Sequence, residues 1–139
     1  MFATAIDYDK VTVKRQKWFP FQPRHMLMAP TGHIHVHPES SNWSEDYARE
    51  SVHLQGWFLH ELTHVWQSQK RGKYYLPLMR HPFCRYDYAV HAGRAFERYG
   101  LEQQAEIVRH VFLLRNGTRP RGAQPLEVLE SILPFGTGR

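Results

Sequence analysis

The residues of this 139-residue chain with the most evident chemistry are His60-Glu61-Leu62-Thr63-His64. On a helix, residues four apart share a face, so the two imidazoles stand one turn apart and each can give a ring nitrogen to Zn²⁺ at about 2.0–2.1 Å. Glu61 is offset around the helix and reaches a water at the metal instead of the metal itself, the place of a general base in zinc-dependent hydrolysis. This chemistry requires the segment to be helical. Phe58, Leu59, Leu62, Val65 and Trp66 recur at i, i+3, i+4 and i+7 spacing, and no Pro or Gly interrupts residues 57–69, so the spacing predicts a helix through the motif.

A hydrolytic zinc site takes three protein ligands and leaves a fourth position open for water. Downstream, Glu102-Gln103-Gln104-Ala105-Glu106 falls in a segment whose Leu101, Ala105, Val108 and Phe112 predict a helix from about Leu101 to Arg115, stopped by Asn116-Gly117. Glu102 and Glu106 then lie one turn apart and can face one site; as residues alone they fit the solvated acidic edge of an amphipathic helix too. The run resembles the E-x-x-[AS]-[DE] of gluzincin metallopeptidases, the thermolysin-like class. That resemblance implies Glu102 as the third zinc ligand and Glu106 as the acid that orients His60 through its other ring nitrogen.

The likeness covers nearly the whole chain. Ala5-Ile6-Asp7-Tyr8-Asp9, Trp18-Phe19-Pro20-Phe21-Gln22-Pro23, the two motif helices and Leu133-Pro134-Phe135-Gly136 together resemble the bacterial Vgr-related proteins. These are small zinc peptidase-like chains, related in motif to peptidase-like domains found near contractile injection systems. The resemblance implies Zn²⁺ as cofactor and a peptide or protein as substrate, without naming one.

The elements that must position these residues read as strands first and helices afterwards. Residues 10–14 and 31–37 suggest short strands, Pro20, Pro23 and Pro30 punctuate the connection, and residues 43–49 suggest a helical turn with Ser41 or Ser44 as cap. Residues 70–88 form a long Tyr-, Pro- and Arg-rich loop, the kind that faces substrate or acts as a lid. Leu126, Leu129, Ile132 and Leu133 mark a last short helix. This order predicts one α+β domain over residues 1–139, a short antiparallel sheet beside the HExxH helix and the glutamate-bearing helix; by the family resemblance it is zincin-like.

Composition narrows the setting. With 42% hydrophobic residues the chain can bury a core, and no stretch of about 18 apolar residues offers a membrane span. The first twenty residues carry six charges and no apolar run, which predicts no signal peptide and a cytoplasmic address, with any export through a route that reads no cleavable signal. Cys84 is the only cysteine and reads as a small buried hydrophobe or an idle thiol. A net charge of +5 without a helix-turn-helix or RNA-binding signature reads as a solvated basic surface, and no nucleic-acid partner is expected.

Three further constellations compete for function. His33, His35 and His37 alternate, so on a strand they share a face and form a second metal site, a cleft wall or a solvent-facing row. Glu50 and His53 with Glu61 and His64 mimic the paired E-x-x-H of di-iron bundles, but those sites need four long facing helices. Tyr86 and Tyr88, near His81, His91 and His110, are candidate donors to the oxyanion of a tetrahedral intermediate, or rings that pack a loop. The resulting expectation is a zinc metallopeptidase-like hydrolase with Glu61 as general base. The alternative is a non-catalytic, zinc-stabilised adaptor domain associated with a type VI-like contractile injection system, whose metal contributes folding energy and which has no need of Glu61.

Overall fold

The strand-first, helix-later order holds in the computed structural model, which describes residues 1–2, 5–79, 84–91 and 93–135. His81 and Gly136 lie outside them. Three short strands, β1 (Val13–Lys14), β2 (Leu27–Met28) and β3 (Ile34–Val36), form a sheet of order β1-β3-β2. The expected antiparallel sheet is corrected to a mixed one, since β2 pairs antiparallel with β3 but β1 pairs parallel with it. Alternating residues mark a strand without marking its direction, and β2, two residues long between Pro23 and Pro30, is too short for a periodic signal.

Four helices follow: α1 (Val52–Arg71), α2 (Tyr75–Met79), α3 (Leu101–Arg115) and α4 (Leu126–Glu130). Helix α1 begins earlier than its apolar spacing requires because Ser51 caps it, its hydroxyl accepting from the Leu54 amide. Asp46 caps the preceding 3-10 turn, Tyr47–Arg49, in the same way, so Ser51 and Asp46 take the capping places expected of Ser41 or Ser44. Gly72, with φ 99°, ends α1 in a conformation that favours glycine. The expected loop after it contains α2. No helix of the described residues is long and apolar enough to cross a membrane.

Helices α1 and α3 pack face to face and supply the centre of the molecule. Leu62, Val65 and Trp66 of α1 join Ile107, Val108 and Val111 of α3 and Ile34 and Val36 of β3 in one core cluster, extended by Phe2, Phe96 and Phe135. Gly56 lets the two helices approach: a Cβ there would stand 3.3 Å from Arg109 Cγ and Leu113 Cδ2. That contact sets the height at which α3 presents Glu102 and Glu106 to α1.

Candidate metal centre

Helical spacing puts His60 and His64 on one face of α1 and Glu102 and Glu106 on one face of α3; packing turns the two faces together. His60 Nε2 lies 3.1 Å and His64 Nε2 3.2 Å from Glu102 Oε2. One ligand atom from each of the three residues lies within 4.8 Å of the others, and the residues are 2%, 0% and 1% exposed.

The second nitrogen of each ring is held from behind. His60 Nδ1 is 2.9 Å from Glu106 Oε1, and His64 Nδ1 is 2.8 Å from Gln67 Oε1. The Gln67 amide has one orientation, because its nitrogen donates to Leu101 O and Gln104 Oε1. An acceptor opposite each Nδ1 keeps a proton there and leaves the lone pair on Nε2. Two lone pairs and a carboxylate oxygen therefore converge where water scarcely reaches, an arrangement that is costly unless a cation sits among them. Donors about 2.0–2.1 Å from a tetrahedral ion stand about 3.3 Å apart, close to the observed separations.

The charges agree with the donor geometry. Glu61, Glu102 and Glu106 against Arg109 leave a formal −2, the complement of a divalent ion. Burial alone pushes the His60 imidazolium down, but hydrogen bonds to Glu102 and Glu106 and the charge of Glu61 outweigh it and raise the group to about 9. With no metal ion among the donors a proton on Nε2 takes the cation's place, and the surroundings that favour that proton favour a cation there.

Glu106 is itself clamped. Arg109 Nε and Nη2 reach its two oxygens at 2.9 and 2.7 Å, and His110 Nε2 lies 3.4 Å away. Burial would push its carboxyl up, but these partners and His60 hold it well below the usual carboxylate range. Trp57 covers Arg109, whose guanidinium carbon lies 4.3 Å from the ring centroid.

In front of the centre lies a cleft of 610 Å³ lined by Met26, Leu27, Trp57, His60, Glu61 and Tyr86, among others. Glu61 is 6% exposed and Tyr86 49%, and the Tyr86 ring stacks on His60 at 6.2 Å between centroids. Tyr88 is placed differently: its hydroxyl bonds His110 Nδ1 at 2.6 Å, behind Glu106, and burial pushes its pKa up. The structure thus brings His60, His64, Glu102, Glu106, Glu61 and Tyr86 together and leaves Tyr88 in the supporting layer.

The rival constellations do not assemble. His60, His64 and Glu102 form the one candidate metal-holding group among the described residues. His33 Nδ1 accepts from the Thr12 amide and His37 Nδ1 from the Glu39 amide, while His35 is buried. Glu50 accepts from the Ser44 hydroxyl outside the centre, the His91 amide donates to the Tyr99 hydroxyl, and Cys84 is half-buried. Sequence reasoning missed Gln67, Gln104, Arg109 and Trp57. Three carried a local signal: Gln67 follows His64 by three residues, Arg109 follows Glu106 by three, and Trp57 precedes His60 by three, so each shares a helix face with its partner.

No family model matches the chain. The type VI secretion system spike protein VgrG2b of Pseudomonas aeruginosa is 36% identical to it over 123 residues, which cover 84% of this chain and 12% of that protein. The chain therefore spans about an eighth of the length of this curated relative. The solved structure of the effector domain of Pseudomonas aeruginosa VgrG2b is similar with a TM-score of 0.69 and 31% identity, covering 91% of this chain and 70% of that one.

Proposed function

Because this chain belongs to the family of the VgrG2b effector domain, we propose that it is a zinc-dependent hydrolase of gluzincin type, acting on peptide bonds as an effector unit of a type VI-like secretion apparatus. The observation that carries the enzymatic part is Glu61, a carboxylate beside the His60, His64 and Glu102 donors that lines an open cleft. In this reading His60, His64 and Glu102 hold Zn²⁺, and Glu106 and Gln67 fix the two rings. The ion, when bound, supplies Lewis-acid polarisation of the scissile carbonyl and a water of near-neutral pKa. Glu61 takes the proton of the attacking water and returns it to the departing amine. The Tyr86 phenol, which lines the cleft, donates in this reading to the developing oxyanion.

A second reading has its own support. The donors are almost wholly buried between α1 and α3, so an ion there would cross-link the core of a non-catalytic, zinc-stabilised domain that docks on other parts of a secretion apparatus. Structural zinc sites, however, usually close with four protein ligands, and the described residues offer three here. The zinc-loaded chain should cleave members of a mixed peptide library, lose that activity to a chelator and regain it with Zn²⁺. Cleavage that survives complete metal removal, or none by zinc-loaded protein, would sink the hydrolase.

Glu106 gives a more graded expectation. Glu106→Gln keeps the side-chain shape but loses the charge that Arg109, His110 and His60 share, and zinc affinity should fall about 10–100-fold, the usual cost of losing an outer carboxylate. Chelator competition would measure it. Equal affinities would show that Glu106 does not govern His60.

A further inference from the structure

The formal charge of +5 is concentrated in one stretch of chain. Between Lys10 and Pro38 stand five Lys or Arg and no Asp or Glu, and outside it thirteen Lys and Arg balance thirteen Asp and Glu. Among the described residues, the carboxylates paired with that stretch are Asp7 on Lys10 and Glu39 on Arg24, both pairs in solvent and therefore weak.

The middle of this stretch, residues 15–26, is the loop between β1 and β2, and it is braced. Gln22, 3% exposed, accepts from the Trp18 amide at 2.8 Å and donates to Met26 O at 3.0 Å and His35 O at 3.2 Å. A loop anchored through a buried side chain nevertheless displays Phe21 at 85%, Trp18 at 42% and Met26 at 40% exposure. Leaving large aromatic surface in water on a fixed scaffold is unfavourable for an isolated protein. Lys14, Arg15 and Lys17 flank it.

A braced loop that exposes Trp and Phe amid unbalanced cations has the chemistry of an interfacial anchor: the rings enter the headgroup layer while the basic side chains meet lipid phosphates. A protein partner would have to supply a pocket matched to each exposed ring, whereas a headgroup layer accepts amphipathic rings without one. We propose that residues 14–26 dock this protein on an anionic lipid bilayer. The proposal does not depend on the metal centre. Met26 at the end of the loop and Leu27 of β2 also line the cleft, so docking sets the cleft beside the membrane.

Flotation with phosphatidylcholine vesicles, with and without phosphatidylglycerol, tests this. The wild-type chain should float only with phosphatidylglycerol present. Trp18→Ser with Phe21→Ser, and separately Lys14→Gln with Lys17→Gln, should each weaken partitioning at least about 10-fold. Arg121→Gln, at an exposed basic position outside the stretch, should bind as wild type does. All four positions changed in the pairs lie at or near the surface, and circular dichroism would verify that each variant folds. Wild-type protein that stays unbound to phosphatidylglycerol vesicles overturns the proposal. So does binding that needs the lysines but ignores the aromatic pair, which would describe attraction to any polyanion.

Discussion

Glu102→Ala should purify with little or no zinc under conditions where the wild-type chain carries one ion. Glu102 Oε2 stands within 3.2 Å of both Nε2 atoms, so its removal deletes one of three donors and the anion that offsets the charge of the ion. Structural zinc sites bind with about 10–16 kcal/mol, so loss of one ligand in three costs roughly 3–5 kcal/mol, on the order of 10³-fold in affinity. His64→Ala should behave alike, and His33→Ala should keep its metal. Glu102→Gln, nearly the same size, separates ligation from packing: it should fold and still bind zinc weakly. Elemental analysis of the purified proteins gives the readout, and full zinc in Glu102→Ala would move the third ligand elsewhere.

Glu61→Gln should retain zinc and fold yet lose at least about 10²-fold in peptide hydrolysis, the contribution of a positioned general base. Glu61 lines the cleft beside His60 but is not one of the three converging donors, which is why metal content and activity should separate in this variant. Single-turnover cleavage of a fluorogenic peptide, set against zinc content, measures both. If wild type and Glu61→Gln are equally inert across a broad library, the zinc-stabilised interaction domain becomes the better reading.

The two helices were legible because their signals are local. Apolar residues at 3.6-residue spacing mark α1, and the same pattern with an Asn-Gly stop places α3 at Leu101–Arg115. The strand positions were legible in part, Val13–Lys14 and Ile34–Val36 falling inside the expected segments. Their pairing was not: a parallel β1–β3 pair with β2 on the far edge is a choice between registers that no two- or three-residue strand records by itself.

By itself, then, the sequence determined which side chains share a helix face: His60 with His64, Glu102 with Glu106, and the unread Gln67 and Arg109 with their neighbours. Only the tertiary structure decided which face meets which. His60 and Glu106 are 46 residues apart in sequence, His64 and Glu102 38 apart, and their meeting follows from the packing of α1 on α3 around Gly56 rather than from any pattern within either helix. The same packing sent two neighbouring tyrosines to different places, Tyr86 to the cleft over His60 and Tyr88 behind Glu106. Local periodicity fixes direction around one axis; the distance between two axes is set by the side chains that fill the space between them.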